Sequence, residues 1–220
     1  MAQTVFSQNG WAGEIAPQNC QDKGDNCISI IDSNLGSNKA NYFVTKNVQV
    51  ASAISKAGDI DTTITINYKN SSPSDTWPGG RYKNYLRILV PQGSKMTSFS
   101  IGDNRTPWVT PILTEKELAK VTMQQFLVFQ TAEEGYNSYG ALMEVPIQST
   151  RKVTFTFRHP YKVAVSQENP IFTLTVIKQP GTSNDPLDFS VDFPSFLVPT
   201  TPLAIPQKLI YNSDLGTNQT

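Results

Sequence analysis

Residues 62–70 read TTITINYKN. Ile64, Ile66 and Tyr68 fall on one side of an extended chain, and Thr63, Thr65, Asn67 and Lys69 fall on the other. Strict alternation of this kind is the mark of a half-buried β-strand, because successive side chains in a strand point to opposite faces. The pattern recurs along the chain. In RYKNYLRILV (81–90), Tyr82, Leu86, Ile88 and Val90 oppose Arg81, Lys83 and Arg87. In KVTFTFR (152–158), Val153, Phe155 and Phe157 alternate with Lys152, Thr154, Thr156 and Arg158. Phe172, Leu174 and Val176 repeat it, as do Phe189, Val191 and Phe193. Tyr42, Val44, Val48 and Val50 form a longer strand that Lys46 interrupts.

Turn residues separate these runs. Pro91-Gln92-Gly93 fits a turn with proline in second position, and Gln179-Pro180-Gly181-Thr182 fits a type II turn with Gly181 at positive φ. SSPSDTWPGG (71–80) is a longer polar loop. Only TEKELAK (114–120) reads as helix, with Thr114 and Glu117 at capping-box spacing. Prolines 194, 199, 202 and 206 mark an extended crossover or sheet edge before a last strand, QKLIYNS. The expectation is an all-β protein: an immunoglobulin-like antiparallel β-sandwich of about ten strands, with at most one short helix near 114–120. Residues 1–27 read as an N-terminal segment and 28–215 as the sandwich domain.

Composition narrows the function. Eighteen basic and eighteen acidic residues cancel over 220 residues, so the chain lacks the positive field that general nucleic-acid binding needs. No run of 18 apolar residues is long enough to span a bilayer. The N-terminus, MAQTVFSQNG, has neither the basic start nor the apolar run of a signal peptide. Charged residues make up 16% of the chain, below the usual quarter, as in many surface-exposed β proteins. Cys20 and Cys27 flank a polar loop containing Gly24. In an oxidising compartment they would close a small disulfide loop worth roughly 2.5 kcal/mol; otherwise they are two unpaired thiols.

Five runs carry a resemblance: NGWAGEI (9–15), SIIDSNLGSNKANYFV (29–44), ITINYKNSSP (64–73), YKNYLRILVPQGSKM (82–96) and LTVIKQPGT (174–182). Together they resemble the C-terminal part of a bacterial family catalogued as domain of unknown function four-thousand-and-twelve, over roughly residues 8–212. The resemblance implies a protein of the cell envelope, tethered through a transmembrane helix near its N-terminus, with its bulk outside the cell. It also implies that NGWAGEI is the tail of a preceding region and that Met1 is an added start. An oxidising exterior favours the Cys20–Cys27 bridge. No activity comes with the resemblance, and no catalytic residue is transferred.

The segment DSNLGSNKANYFV (32–44) offers several chemistries. An EF-hand loop needs oxygen ligands at positions 1, 3 and 5, glycine at 6 and glutamate at 12; counted from Asp32, Gly36 falls at 5 and hydrophobic residues occupy the far end. A looser calcium site would draw on Asp32, Asn34 and Asp22 or Asp25. A phosphate cradle needs a glycine-rich turn that opens a helix. The simplest reading is a polar corner, with Asp32, Asn34 and Asn38 bonding nearby backbone and Lys39 pairing with Asp32. A sharper alternative is an internal Lys–Asn isopeptide bond, with Lys39 the first candidate.

The other candidate sites are thin. The one histidine, His159, stands before Pro160 and reads as packing or surface, and no G-x-S-x-G is present. Two cysteines and one histidine cannot furnish a structural zinc site. Glu133, Glu134 and Glu144, near Tyr136 and Tyr139, are the candidates for a glycosidase carboxylate pair, although Glu133–Asn137 reads more simply as a hairpin tip. Trp77, Trp108 and Tyr136 are candidate stacking platforms for a sugar, and Trp11 reads as a packing residue. The expectation is therefore a non-catalytic extracellular module with no cofactor and no metal. Its partner would be a protein or glycan of the envelope and not nucleic acid, with the membrane reached only through an N-terminal anchor. The alternative is a domain that binds cell-wall glycan or assists an enzyme acting on it.

Overall fold

The computed structural model describes residues 26–102, 104–105, 109–111, 128–133, 135–182, 184–198, 204–205, 208–217 and 219. The strands in chain order are β1 Asn26–Asn34, β2 Val44–Ile54, β3 Asp59–Asn70, β4 Tyr82–Pro91, β5 Lys95–Ile101, β6 Asn104–Arg105, β7 Val109–Pro111, β8 Val128–Glu133, β9 Tyr136–Val145, β10 Ser149–Lys162, β11 Leu174–Ile177, β12 Leu187–Asp192, β13 Ala204–Ile205 and β14 Lys208–Ser213. One sheet runs β11-β1-β4-β9-β8-β7, and the other runs β13-β14-β12-β2-β3-β10-β5-β6. Among the described residues the only helical piece is a 3-10 turn, Ala40–Phe43, at the corner between β1 and β2. The helix expected at 114–120 lies outside the described residues.

The alternation in the sequence is the alternation of burial. Ile64, Ile66 and Tyr68 of β3 are buried beside Val153, Phe155 and Phe157 of β10 and Val48 and Val50 of β2. They face Ile28 and Ile30 of β1, Leu86, Ile88 and Val90 of β4, and Tyr139, Ala141 and Met143 of β9. Aromatic rings fill the centre. Phe155 lies 5.2 Å from Tyr139, 5.6 Å from Phe157 and 5.9 Å from Phe99, centroid to centroid, within the range of favourable edge and tilted contacts.

The sandwich is mixed rather than purely antiparallel. β1 pairs parallel with β11, β12 with β2 and β7 with β8. The reason lies in the chain path. β11 and β12 return from the far side of the fold after β10 and dock on the free edges left by β1 and β2, where direction is set by the returning loop rather than by a hairpin. β11 also shows why a parallel edge is hard to read: all four of its residues, Leu174–Ile177, are buried, so its inner and outer faces carry the same signal.

Two turns refine the reading. Gly181 has a φ of 76°, as the third position of a type II turn requires. At residues 91–94 the turn is shifted by one: the Ser94 amide donates to the Pro91 carbonyl at 3.0 Å and Gly93 takes the positive φ. Proline is thus the first residue of that turn, and β4 extends through it.

A second, smaller apolar cluster sits on the other face of the first sheet, where Cys27, Leu89, Tyr136 and Ile177 are buried together. Tyr136 is 5% exposed at the start of β9, so it is a packing residue and not a sugar platform. Nearby, Tyr85 lies directly over Gly140, where any Cβ would collide with its ring.

Candidate functional site

Two buried polar clusters close the two ends of the core. The strands β1, β2 and β3 contribute to both, because each carries a polar residue in phase with its apolar ones at each end.

The first cluster centres on Asp32, which shares the inner face of β1 with Ile28 and Ile30. Lys46 is in phase with Val48 and Val50 on β2, and its Nζ donates to Asp32 Oδ2 at 2.8 Å. The Tyr68 hydroxyl on β3 donates to Oδ1 at 2.7 Å, and Asn84 Nδ2 on β4 donates to the same oxygen. Asp185, in the loop before β12, stands 3.4 Å from Lys46 Nζ. The three charged side chains are 9%, 11% and 16% exposed for Lys46, Asp32 and Asp185. The cluster therefore joins two strands of one sheet to two strands of the other by charge-assisted bonds.

Its electrostatics follow from burial. Desolvation works against the Lys46 ammonium, but Asp32 and Asp185 together outweigh it and hold its pKa above the ordinary value. Desolvation raises the Asp185 carboxyl, and Lys46 only partly offsets this. Tyr68 is held far above the usual phenol range, first by burial and then by Asp32, so it remains a donor. Burial, with help from the same two carboxylates, also raises Tyr82.

Above this cluster the chain turns its corner. Asn34 Oδ1 accepts from the Gly36 amide at 2.9 Å, while its Nδ2 donates to the Asn38 carbonyl and to Asn41 Oδ1, both at 3.1 Å. Asn38 Oδ1 accepts from the Ala40 amide at 3.2 Å and its Nδ2 donates to the Arg81 carbonyl at 3.2 Å. These are side chains standing in for backbone partners at a bend. Opposite them, Gln179 bonds both backbone groups of Asp32: its Oε1 accepts from the amide at 2.8 Å and its Nε2 donates to the carbonyl at 2.9 Å. The side-chain amide prolongs the β1–β11 ladder beyond Ile177. Between the corner and the 178–186 loop lies a polar groove of about 1080 Å³, floored by Asp32, Lys46, Tyr68 and Tyr82.

The structure redistributes the roles expected of this segment. Lys39 is exposed and does not pair with Asp32; Lys46 does. Asp32 is a strand residue facing inward, not part of the corner that Asn34 and Asn38 shape. Its carboxylate oxygens already accept from Lys46, Tyr68 and Asn84. Among the described residues no group of three His, Cys, Asp or Glu side chains has the arrangement of a metal site. Asp22 and Asp25 lie outside the described residues, as do Trp11, Trp108, Glu134 and Cys20; the Cys20–Cys27 pairing lies outside them for that reason. Cys27 itself is buried at 2% in β1. Trp77 is 74% exposed in the loop between β3 and β4.

At the opposite end, His159 on β10 is 5% exposed. Its Nδ1 lies 2.8 Å from Asn26 Oδ1 and its Nε2 lies 2.8 Å from Thr62 Oγ1, which in turn lies 2.7 Å from Ser52 Oγ. Asn26 Nδ2 donates to the Thr173 carbonyl at 3.0 Å, so Asn26 presents its oxygen to the ring and Nδ1 must be the protonated nitrogen. Thr62 then donates to Nε2. The order Asn–His–hydroxyl imitates a nucleophilic triad, but Thr62 and Ser52 are 0% and 1% exposed, and no substrate reaches them. The cluster is a satisfied polar plug stacked on Phe157, whose ring centroid is 4.6 Å from that of His159.

The carboxylate candidates separate. Glu133 is bound to Arg87 at 3.3 Å and Glu144 to Arg81 at 3.0 Å. Glu133 pairs with Tyr136 at one end of β9, and Glu144 stands eight residues further along that strand. At about 3.3 Å per residue they are roughly 26 Å apart, far beyond the ~5–9.5 Å span of glycosidase pairs.

Comparison with known proteins finds only distant structural neighbours. No family model matches the chain, and no curated protein does. A Legionella pneumophila protein described as nutrient-binding aligns over 88% of this chain and 68% of its own, at 6% identity and a TM-score of 0.45. An M1 zinc metallopeptidase from Deinococcus radiodurans aligns over 77% of this chain at 8% identity and a TM-score of 0.32; the aligned part is only 38% of the peptidase. At such scores neither likeness assigns an activity. No helix among the described residues is long and apolar enough to cross a membrane.

Two outcomes follow. Asn34→Ala removes an amide that serves three bonds at the corner, and stability should fall by about 1 kcal/mol in urea unfolding. Calcium or a chelator should leave the melting temperature where it is. A calcium-dependent rise abolished by Asp32→Ala would replace the corner by a metal site. The second concerns pH. Burial pulls the His159 pKa from 6.5 down to about 4, with Asp61 opposing weakly. The unfolded chain therefore takes up the proton first. This contribution to stability is intact above pH ~6.5 and drains as pH falls toward 4, by on the order of 3 kcal/mol in all. His159→Gln should flatten the fall of stability across that window, measured by urea unfolding at stepped pH; an unchanged slope would place His159 outside the acid response.

Proposed function

We propose that this chain is a non-catalytic β-sandwich module of a bacterial envelope protein, displayed outside the cell, with a structural or interaction role. One observation carries the reading. The charged groups that converge inside the sandwich, Lys46, Asp32 and Asp185, are occupied by one another and by Tyr68 and Asn84. They tie the sheets together, so that even where they floor the groove their bonding capacity is taken up within the cluster. The envelope setting rests on the five sequence runs that resemble the tethered family, and an oxidising exterior is the setting in which Cys20 and Cys27 would pair.

A second reading, attachment to cell-wall glycan, has its own observation. Tyr42 is 85% exposed at the rim of the groove and Trp77 is 74% exposed. Their loops are tied together, because the Lys39 amide donates to the Pro78 carbonyl at 2.8 Å. Exposed rings on a braced surface are what sugar stacking uses.

Incubation of the protein with purified bacterial sacculi tests both. The expected result is no release of soluble wall fragments. Release that Glu144→Gln or Asp185→Asn abolishes would contradict the non-catalytic reading. Co-sedimentation with sacculi that Tyr42→Ala and Trp77→Ala remove, at unchanged melting temperature, would select the glycan reading over a protein partner.

A further inference from the structure

The cluster at the sheet-joining end has a geometry that an ion pair does not require. Lys46 Nζ sits 2.8 Å from Asp32 Oδ2, in reach of the Asp32 carboxyl carbon. The other carboxylate oxygen, Oδ1, is held by two donors from two different strands, the Tyr68 hydroxyl at 2.7 Å and the Asn84 amide. Those donors are placed where negative charge would gather on a tetrahedral carbon, the arrangement that stabilises acyl transfer. Asp185 lies 3.4 Å from the same Nζ. All three charged groups are nearly out of water, where a nucleophile and its target are held together for the lifetime of the fold. A cavity of about 10 Å³ lies against Lys46 and Asp185, about the size of one water.

We propose that Lys46 and Asp32 condense into an intramolecular isopeptide bond that covalently joins β2 to β1, with Asp185 as proton carrier. The Lys46 ammonium passes one proton through Asp185 to Asp32 Oδ2. The neutral amine then attacks the Asp32 Cγ, and the new C–N bond forms as charge collects on Oδ1, facing Tyr68 and Asn84. A second proton leaves the nitrogen by the same carrier and reaches Oδ2. The Cγ–Oδ2 bond breaks and Oδ2 departs as water. The amide keeps one hydrogen on nitrogen, the ammonium and carboxylate charges cancel, and Asp185 ends as it began. No oxidant or cofactor is needed.

The chemistry also removes an energetic liability. A buried ion pair bears the desolvation of two charges, whereas the amide bears none, and its carbonyl oxygen still accepts from Tyr68 and Asn84. The link would lie between the two sheets and close a loop of fourteen residues in sequence separation, pinning the base of the Asn34–Asn38 corner that lines the groove. The inference deepens the structural reading proposed above and fails separately from it: an uncondensed pair leaves a non-catalytic module intact.

Intact-mass measurement on the purified, fully reduced protein decides the matter. The expected wild-type mass is one water below the sequence mass, and a tryptic digest should yield one branched peptide joining the segment with Asp32 to the segment with Lys46. Lys46→Arg should restore the sequence mass. Asp185→Asn keeps both reacting groups and should leave most of the protein at the sequence mass. Wild-type protein at the sequence mass, with trypsin cutting after Lys46, would overturn the proposal. Full water loss in Asp185→Asn would overturn the role of Asp185. A water loss mapping to a single linear peptide would reveal a local succinimide and also overturn the cross-link.

Discussion

A lysine on the inner face of a strand must be neutralised or it will not be buried, and much of one end of this molecule is arranged around that constraint. Lys46 shares its face with Val48 and Val50. Placing it there requires a carboxylate from the facing sheet, and β1 supplies Asp32. Asp32 in turn requires donors for its other oxygen, which β3 and β4 supply as Tyr68 and Asn84. Gln179 then clamps the backbone of Asp32 from the side of β11. Asp32, Lys46, Tyr68 and Asn84 each come from a different strand, so the cluster is satisfied in only one register of the sandwich. A one-residue slip of β1 or β2 would turn one member outward and leave the other charged and alone.

The opposite end solves the same problem without charge. Asn26, Ser52, Thr62 and His159 form a closed hydrogen-bonded chain in which each buried polar atom finds a partner and the imidazole remains neutral. Between the two plugs the core is continuous hydrocarbon and aromatic packing. β1 spans from one plug to the other in six residue steps, Asn26 to Asp32, about 20 Å of strand. Its polar residues thus set its position along the fold at both ends, while Ile28 and Ile30 set its depth.

This division explains what the sequence disclosed. The alternation in β2, β3, β4 and β10 was legible because each has one wet face, and period-two patterning survives only under that condition. Gly181 was legible because its turn chemistry is local. Lys46 was visible too, but as an interruption of an apolar pattern; its phase with Val44 and Val48 was the signal that it points inward and must have a partner. Asp32 carried the same signal beside Ile28 and Ile30. The identity of that partner was not legible, since Lys39 is nearer to Asp32 in sequence and only the packing of two sheets brings Lys46 across. The parallel edges were hidden for a related reason: β11 is buried on both faces, and the direction of a returning strand is not written in its residues. Tyr136 stood beside a glycine at a hairpin tip and read as a loop aromatic, yet strand phase puts it on the buried outer face of its sheet.

The central claim is that Asp32 and Lys46 act as one unit holding the sheets in register. A double-mutant cycle in urea unfolding, with Asp32→Asn, Lys46→Met and the pair together, measures it most directly. Lys46→Met leaves the Asp32 carboxylate buried without a cation, and Asp32→Asn leaves Lys46 with only the more distant Asp185; each should cost about 3–5 kcal/mol. The account predicts that the double variant loses less than the sum of the two, by at least about 1 kcal/mol. Additive losses would contradict it, and would mean that the two residues contribute to stability independently.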